Sequence, residues 1–437
     1  MADSLLIRGG RIIDPSQDID KTNNLLVKEG KIDWLGEGLP SGDYAVLDAA
    51  GLIVCPGFID LHCHLRQPGN EEKETIATGT RAAARGGFTT VCCMPNTNPP
   101  LDNEAMLNYV RTVAAREGVI RVFPIGCVTV GRKGEELADL NEMEMNGAVA
   151  YSDDGSPVTN PEVMRKALEY SRDFNRPVID HCEDVSLTKG GQVNEGVVSL
   201  ELGLRGMPAA AEENIIKRDL ELAKETGGHI HIAHVSTEGS VDLIRAAKEE
   251  GVLVTAEVTP HHLTLTEGDV LKYGTLAKVN PPLRTRRDTI ALLRALNDSV
   301  IDIVATDHAP HTKAEKDVDF RKAAFGISGL ETALGSLAGL ILKSELSLNN
   351  LIAALTVGPA RVLGYAKLGT LEVGAPADIC LFDLHKEWIV DIDKFASKGK
   401  NTPLNGQTLK GKVMATIYMG NPVYLDETLK IRGRYEV

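Results

Sequence analysis

Positive charge and long hydrophobic runs are scarce in this sequence. Of 437 residues, 47 are lysine or arginine and 61 are aspartate or glutamate, which gives a formal net charge of −14. This balance argues against nucleic acid or a membrane surface as the main partner, because both attract net positive charge. We interpret the dense basic cluster Arg284, Arg286 and Arg287 as a solvated helix face. The longest nearly apolar run, Ala333–Leu342, is too short to cross a bilayer, which requires about 20 residues.

The cysteine content does not suggest a disulfide framework. The seven cysteines are an odd number scattered through a long chain, which favours a reducing compartment. The first 15 residues contain charged side chains and no apolar core of a secretory signal. We therefore expect a cytoplasmic protein.

Short β-rich runs alternate with helical stretches through the middle of the chain, and 43% apolar residues suffice for a large core. This alternation predicts an α/β protein with a (β/α)₈ TIM barrel. The alternative, an open doubly wound sheet, is disfavoured because no Gly-x-Gly-x-x-Gly follows the first strand. The predicted strands are 58–64, 88–93, 121–128, 148–152, 177–181, 229–235, 253–258 and 301–306.

Both ends of the chain contain short alternating segments separated by turns rich in glycine and proline. We expect residues 1–54 and 365–437 to pair into one small β-sandwich domain beside a catalytic barrel of residues 55–364. The alternative is two separate β-rich flaps.

Metal-ligand residue types follow several predicted strands, at the barrel face where catalytic residues lie. His62 and His64 end the first strand, and residues i and i+2 of a strand point the same way. Asp153 and Asp154 follow the fourth strand, and Asp307 follows the eighth.

His181 and His234 end the fifth and sixth predicted strands. By strand parity, His229 and His231 face away from His234, so we interpret them as packing or helix-facing residues. Together, four histidines and two aspartates at one barrel mouth suit a pair of divalent ions, and zinc is the ion that this donor set favours.

These residues, in this order, resemble the amidohydrolase superfamily and, within it, the bacterial type I dihydroorotases. The resemblance spans nearly the whole chain. The matching stretches are PGFIDLHCHLRQPG at 56–69, MPNT at 94–97, YSDDG at 151–155, HCE at 181–183, HVS at 234–236, NPPLR at 280–284, DHAPH at 307–311 and GTLEVGAPADICL at 369–381.

The resemblance implies a metal-ligand set of six residues. His62, His64 and Asp307 resemble the ligands of a first zinc ion, and His181 and His234 those of a second. Many relatives bridge the two ions with a carboxylated lysine, but no lysine stands between residues 148 and 157. Asp154 occupies the position of a bridging aspartate and Asp153 is its rival; we choose Asp154.

The resemblance also implies substrate contacts. Arg66, Asn96 and His311, together with the metal ligand His64, resemble the groups that bind the substrate, and the first three resemble those that hold its carboxylate. Asn280 resembles a ligand of the pyrimidine ring. Phe325 and Gly326 end a polar loop after the eighth strand, in a region that contacts substrate in this family.

The implied reaction is the reversible cyclisation of N-carbamoyl-L-aspartate to L-dihydroorotate plus water, a step of de novo pyrimidine (UMP) biosynthesis. A zinc-activated hydroxide is the implied nucleophile and Asp307 the general acid and base. The alternatives are another cyclic-amide hydrolase (a hydantoinase, dihydropyrimidinase or allantoinase) and a non-catalytic partner of aspartate transcarbamoylase. A small-molecule substrate is expected, and the resemblance is compatible with a homodimer or a complex with aspartate transcarbamoylase.

Overall fold

The computed structural model describes residues 4–433, and its first strands belong to one sheet. The N-terminal strands are β1 Ser4–Asp14, β2 Ile19–Lys28, β3 Lys31–Gly36, β4 Ala45–Asp48 and β5 Ile53–Pro56. Strand β1 pairs antiparallel with β2 and parallel with β4 and β5. Leu5, Ile7 and Leu25 are buried in the apolar core of this sheet, whereas the start of β2 is charged and exposed.

The strands in the middle of the chain run parallel. They are β6 Phe58–Cys63, β7 Phe88–Cys93, β8 Arg121–Pro124, β9 Tyr151–Ser152, β10 Val178–Asp180, β11 Val193–Asn194, β12 Gly206–Met207, β13 Ile230–Ile232, β14 Val254–Val258 and β15 Ile303–Val304. One sheet has the order β6-β7-β8 and another the order β15-β14-β13-β10-β9, while β11 and β12 pair with each other. Parallel bridges from Gly126 to Tyr151 and from Cys63 to His308 connect the three-stranded parallel sheet with the five-stranded one at both edges.

Several of these strands are shorter than the sequence predicts. The predicted strand 301–306 is reduced to Ile303–Val304, and the predicted strand 121–128 ends at Pro124. The cause lies in the hydrogen bonds of the following residues: Asp60 accepts from the backbone N–H of Thr306, and Asp153 accepts from that of Val128. Side-chain carboxylates thus replace part of the strand ladder.

Helices connect the parallel strands. Their bounds are α1 Ile76–Arg85, α2 Glu104–Glu117, α3 Leu140–Met145, α4 Pro161–Phe174, α5 Val185–Thr188, α6 Val197–Glu201, α7 Ala210–Thr226, α8 Glu238–Glu249, α9 Pro260–Thr264, α10 Gly268–Tyr273, α11 Arg286–Asn297, α12 Lys313–Lys316, α13 Ala333–Leu342, α14 Leu348–Leu355 and α15 Val357–Val362. Short 3-10 turns occur at Val130–Arg132, Gly274–Ala277, Leu330–Thr332 and Ile392–Lys394. Among residues 4–433, no helix has the length and apolar character needed to span a membrane.

The interpretation of the basic cluster as a solvated face is wrong for one of its three members. Arg286 and Arg287 are exposed at the start of α11, but Arg284 is buried just before the helix. Its guanidinium donates to the backbone oxygen of Met207 at 2.7 Å and to the Asn194 side chain at 2.9 Å. The helix begins after Arg284 because Thr285 and Asp288 form a capping box.

The last strands extend the N-terminal sheet. They are β16 Ile379–Ile389, β17 Thr408–Tyr418, β18 Asn421–Leu425 and β19 Ile431–Arg432. Strand β16 pairs antiparallel with β5, so that the sheet has nine strands: seven in the order β18-β17-β16-β5-β1-β2-β3, β4 paired with β1, and β19 paired with β4. The segment between β16 and β17 leaves this sheet: the Asn401 side chain donates to the backbone oxygen of Ala309 at 3.0 Å, beyond β15. One stretch of the predicted sandwich segment therefore contacts the candidate site.

Candidate active site

His62 and His64, at the end of β6, are buried. One ring nitrogen of each histidine lies next to a side-chain oxygen. Nδ1 of His62 lies 2.6 Å from Glu257 Oε1, and Nδ1 of His64 lies 2.9 Å from Asn96 Oδ1. Nε2 of each histidine consequently faces Asp307, at 3.6 Å from His62 and 3.0 Å from His64. Fixing one nitrogen in this way orients the other as a metal ligand.

The Asp154 carboxylate lies among four histidines. Its Oδ1 is 3.4 Å from Nε2 of His62, 3.7 Å from Nδ1 of His181 and 3.8 Å from Nε2 of His234. Its Oδ2 is 3.6 Å from Nε2 of His64. The two oxygens therefore face different histidines, which is an arrangement that can bridge two cations.

His181 and His234 follow β10 and β13, and one ring nitrogen of His181 faces one ring nitrogen of His234. Nδ1 of His181 lies 2.8 Å from Nε2 of His234. The other nitrogen of His181 lies 2.9 Å from Glu183 Oε2, which also accepts from the Asn280 amide at 2.9 Å. The structure thus brings all six predicted ligands together at the carboxyl ends of the parallel strands.

Three of the site residues have a left-handed backbone conformation. The φ angles are 33° for His234, 43° for Asp307 and 60° for Arg66. Non-glycine residues adopt such angles rarely, and they concentrate at functional sites.

The residues present fit divalent cations. Within the described range, Nε2 of His62 is a buried nitrogen without a hydrogen-bond partner, although carboxylate oxygens of Asp154 and Asp307 lie 3.4 and 3.6 Å away. An unsatisfied buried polar atom is costly, and a cation at this point would remove that cost. Two sets of donors have the spacing of metal ligands: His62 with His64 and Asp307, and His62 with Asp154 and His234.

The charges of the site also favour the binding of divalent cations. Burial favours the neutral acid, but the charge and hydrogen bonds of His62 and His181 outweigh it and lower the pKa of Glu257 and of Glu183 to about 2. Burial is likewise outweighed at Asp154 by His62 and at Asp307 by His64, so the pKa of each carboxyl lies below its ordinary value. Four carboxylates next to four histidines make a buried negative site that attracts divalent cations.

Asp153 is turned away from the histidines. Its Oδ1 accepts from the backbone N–H groups of Val128 at 2.9 Å and Thr129 at 3.1 Å, and its Oδ2 accepts from the Thr129 hydroxyl. Burial raises the pKa of this carboxyl to about 6. Asp153 therefore anchors the loop after β8 and leaves the central position to Asp154.

Most of the predicted substrate residues are half-buried, namely Arg66, Asn96, Asn280, His311 and Phe325, whereas Gly326 and the predicted metal ligands, His64 included, are buried. Arg66 Nε donates to the backbone oxygen of Pro310 at 3.2 Å, and Arg66 Nη2 lies 3.4 Å from His311 Nε2. Burial, followed by the charge of Arg66, lowers the pKa of His311 to about 3, so His311 is neutral at pH 7. Asn96 donates to Asp154 Oδ2 at 3.3 Å and so contacts one of the candidate metal ligands directly.

We call residues 312–326, which follow His311, the substrate loop. His311 Nε2 lies 2.9 Å from the backbone oxygen of Phe325, near the end of this loop. Gly326 has a φ of 139°, and an added Cβ would lie 2.8 Å from the backbone oxygen of Ala309. A side chain at this position is therefore excluded, and the loop backbone can approach the site closely.

Sequence reasoning missed two supporting residues, Glu257 and His231. Glu257 is fully buried in β14 and joins His62 to His231, whose Nε2 lies 3.2 Å from Glu257 Oε2. His231 is not among the candidate metal ligands, but it does more than pack: it belongs to the hydrogen-bond network behind His62. The signal that could have identified Glu257 is a glutamate inside the predicted strand 253–258, where Thr255 is the other polar residue.

Asn401 is a third missed residue, and no local pattern points to it. Its Oδ1 accepts from the backbone N–H of His311 at 2.9 Å, and its amide donates to the backbone oxygens of Ala309 and Gly326 at 3.0 Å each. It thereby connects the residues after β15 with the end of the substrate loop.

Comparison with known proteins gives consistent matches. A family profile described as "Dihydro-orotase-like" matches residues 51–240, and one described as "Amidohydrolase family" matches residues 216–424. The chain is 51% identical to a dihydroorotase of Pelotomaculum thermopropionicum over 98% of this chain and 100% of the relative. It is also 51% identical to a dihydroorotase of Geobacter metallireducens, over 96% of this chain and 99% of the relative.

The similar solved structures include proteins of another substrate class. An L-hydantoinase from Arthrobacter aurescens superposes with a TM-score of 0.89 at 26% identity, over 99% of this chain and 98% of that one. A dihydropyrimidinase from Brevibacillus agri has a TM-score of 0.85 at 23% identity, over 98% and 96%, which indicates a shared fold alone. Sequence identity of 51% over nearly the full length is stronger evidence of family than structural similarity at 23 to 26% identity. The chain therefore belongs to the dihydroorotase family of the amidohydrolase superfamily.

Proposed function

We propose that this protein is a dihydroorotase that interconverts N-carbamoyl-L-aspartate and L-dihydroorotate plus water in pyrimidine biosynthesis. The observation that carries the proposal is the position of Arg66 beside His311, just outside the six buried metal-ligand candidates. This pair places a carboxylate-binding group next to a hydrolytic centre. The matched dihydroorotases support the same reaction.

We further propose a (β/α)₈ barrel over residues 55–364 and a β-sandwich from residues 1–54 and 365–437. The bridges at both edges of the two parallel sheets support the barrel, and the pairing of β5 with β16 supports a sandwich made from both ends. Residues 1–3 and 434–437 of the proposed sandwich lie outside the described range.

Two zinc ions are the proposed cofactors. His62, His64 and Asp307 would hold one ion, His181 and His234 the other, and Asp154 would bridge them. Nitrogen and carboxylate donors suit zinc, and the unpartnered Nε2 of His62 supports a cation at this point. When bound, such ions polarise a carbonyl group and lower the pKa of water to about 7.

Asp307 is the proposed general acid and base. Its low pKa keeps it ionised at neutral pH, so it can accept a proton. In the hydrolytic direction, a C–O bond forms at the ring amide carbonyl and the C–N bond to the ring nitrogen breaks. Asp307 takes the proton from the attacking water and delivers it to the leaving nitrogen; in ring closure these transfers run in reverse.

Arg66, Asn96 and His311 are proposed to hold the substrate carboxylate, and Asn280 to contact the ring. The guanidinium supplies paired donors in a plane, which match the two oxygens of a carboxylate. The Asn280 amide lies beside Glu183 and His181, at the edge of the metal ligands. The net negative charge of the chain does not oppose a dianionic substrate, because binding depends on the local field.

Replacing Arg66 tests this recognition. Arg66→Lys keeps the charge but loses the paired donors, so the KM for dihydroorotate should rise about tenfold or more. Arg66→Met should nearly abolish the use of dihydroorotate and leave the metal content unchanged, because Arg66 is not among the ligands. Steady-state kinetics with metal analysis give both readouts. Wild-type kinetics in Arg66→Met would remove the basis for the proposed specificity.

The proposed function is tested by removing and restoring metal. Chelator-treated protein should fail to close N-carbamoyl-L-aspartate, and activity should return and reach its plateau near about two equivalents of zinc per chain. Full activity at one equivalent, with no gain from more zinc, would rule out the binuclear mechanism. Ring closure by protein that contains no metal would contradict the proposed chemistry altogether.

A further inference from the structure

Two buried lysines contact the substrate loop, and neither belongs to the candidate metal centre. Lys278 has 1% of its surface exposed and precedes Asn280 by two residues; Lys316 has 3% exposed and lies within the loop. Buried lysines are rare unless an opposite charge pairs with them. Within residues 4–433, however, neither lysine forms an ion pair with a carboxylate at 4.0 Å or less.

Oxygen atoms of the loop and its neighbours take the place of a counter-ion. Lys316 Nζ donates to the backbone oxygens of Ala324 at 2.8 Å, Gly326 at 3.0 Å and Lys278 at 3.3 Å. An ammonium group has three hydrogens, so all of its donors are used.

Lys278 is held in the same way. Its Nζ donates to Gln192 Oε1 at 2.6 Å and to the backbone oxygens of Phe320 and Ala323, both at 2.7 Å. The Phe325 ring lies 4.3 Å from the same nitrogen, which adds a cation–π contact. Five backbone carbonyl groups, four of them in the loop, thus converge on two positive charges.

The two lysines also connect the loop with the segment that carries Asn280. The backbone oxygen of Lys278 accepts from Lys316 Nζ and from the backbone N–H of Gly326, at 2.9 Å in the latter case. Loss of either ammonium would therefore loosen Phe325 and Gly326 relative to Asn280.

Holding these charges is costly, which argues against an incidental arrangement. Burial lowers the pKa of Lys316 to about 7, with Lys278 lowering it further and Glu315 opposing the shift. Burial lowers the pKa of Lys278 to about 8, with Asp319 opposing. The carbonyl oxygens offset this cost only while the loop keeps the conformation that these hydrogen bonds require.

We propose that Lys278 and Lys316 are positioning residues that fix the substrate loop against the Asn280 segment, so that Phe325, Gly326 and His311 meet the substrate in one arrangement. The inference rests on the proposed function and assigns to these lysines a role in substrate binding. They do not contact the metal ligands, so the chemical step itself should not depend on them.

Lys316→Met is the most direct test, because methionine retains the apolar stem and loses the three donors. The KM for dihydroorotate should rise about tenfold or more, with kcat within about twofold and the zinc content unchanged. Trypsin should cleave after Arg321 or Lys322 at least about tenfold faster than in wild type, because local opening exposes the loop. Lys313→Met is the matched control: Lys313 is exposed on the same loop, and its loss removes the same charge.

The results that would overturn the role of the two lysines differ from those that would overturn the proposed function. Unchanged KM and unchanged cleavage in Lys316→Met, or equal effects in Lys313→Met, would overturn the proposal. If Lys316→Met does not fold, Lys278→Met should show the same rise in KM, and an unchanged KM there would overturn it as well. If wild-type protein does not use dihydroorotate, the proposed function fails, while the cleavage rates still test the fixing of the loop.

Discussion

Asp307→Asn is expected to lower kcat about 10³-fold in both directions of the reaction, since general acid–base catalysis contributes about 10² to 10⁴. Asparagine has nearly the same shape, so the contact with His64 Nε2, at 3.0 Å in the wild type, can be retained. The amide cannot accept the proton that a carboxylate accepts. The measurement is kcat for dihydroorotate hydrolysis and for ring closure, with the zinc content of the same samples.

A control residue next to the same strand separates proton transfer from folding. Asp302 directly precedes β15, and its carboxylate pairs with Lys248 at 2.7 Å, away from the candidate metal ligands. Asp302→Asn should keep kcat close to the wild-type value. An Asp307→Asn variant that contains zinc and keeps more than about one tenth of the wild-type kcat would contradict the assigned role.

Asp154→Ala is expected to lose one or both metal ions and to lower activity about 10³-fold or more, because the second ion would keep only two histidine ligands. Both carboxylate oxygens of Asp154 face the histidines, at 3.4 to 3.8 Å. A carboxylate needs no carbamate chemistry to bridge two ions. Added bicarbonate should therefore have no effect on metal reconstitution.

Asp153→Ala is the matched control, one residue earlier. Its carboxylate holds the backbone of Val128 and Thr129, so this variant should keep its zinc and lose only stability of the loop. Metal content is measured in the two variants side by side. Full zinc in Asp154→Ala with loss in Asp153→Ala would mean that Asp153 is the bridge, and retention in both would mean that neither aspartate is needed to hold metal.

The position of the candidate metal ligands could be predicted because strand ends are visible in the sequence. Apolar runs that stop at His62, His181, His234 or Asp307 predict that these residues lie together at the carboxyl ends of parallel strands. The structure brings them together with Asp154 around a common centre. Motifs and strand positions are sufficient to predict where these residues lie, because both are local properties of the sequence.

The supporting residues could not be predicted in the same way, because their partners are distant in sequence. Asn401 reaches His311 from the segment between β16 and β17, and Lys278 reaches Ala323 across two loops. Parity along one strand does not show that Glu257, on the neighbouring strand, lies next to His231. The charge of Arg284 does not show that its side chain is buried and donates to the backbone oxygen of Met207.

The matched hydantoinase structures make substrate choice the decisive question, since the fold is shared between the two classes. The kcat/KM values of zinc-loaded protein for L-dihydroorotate, hydantoin and dihydrouracil, measured side by side, answer it. Hydantoin and dihydrouracil have no carboxylate that Arg66 and His311 could bind, so dihydroorotate should be preferred by about 10³-fold or more. Hydrolysis of hydantoin or dihydrouracil with a kcat/KM equal to or above that for dihydroorotate would contradict the assignment.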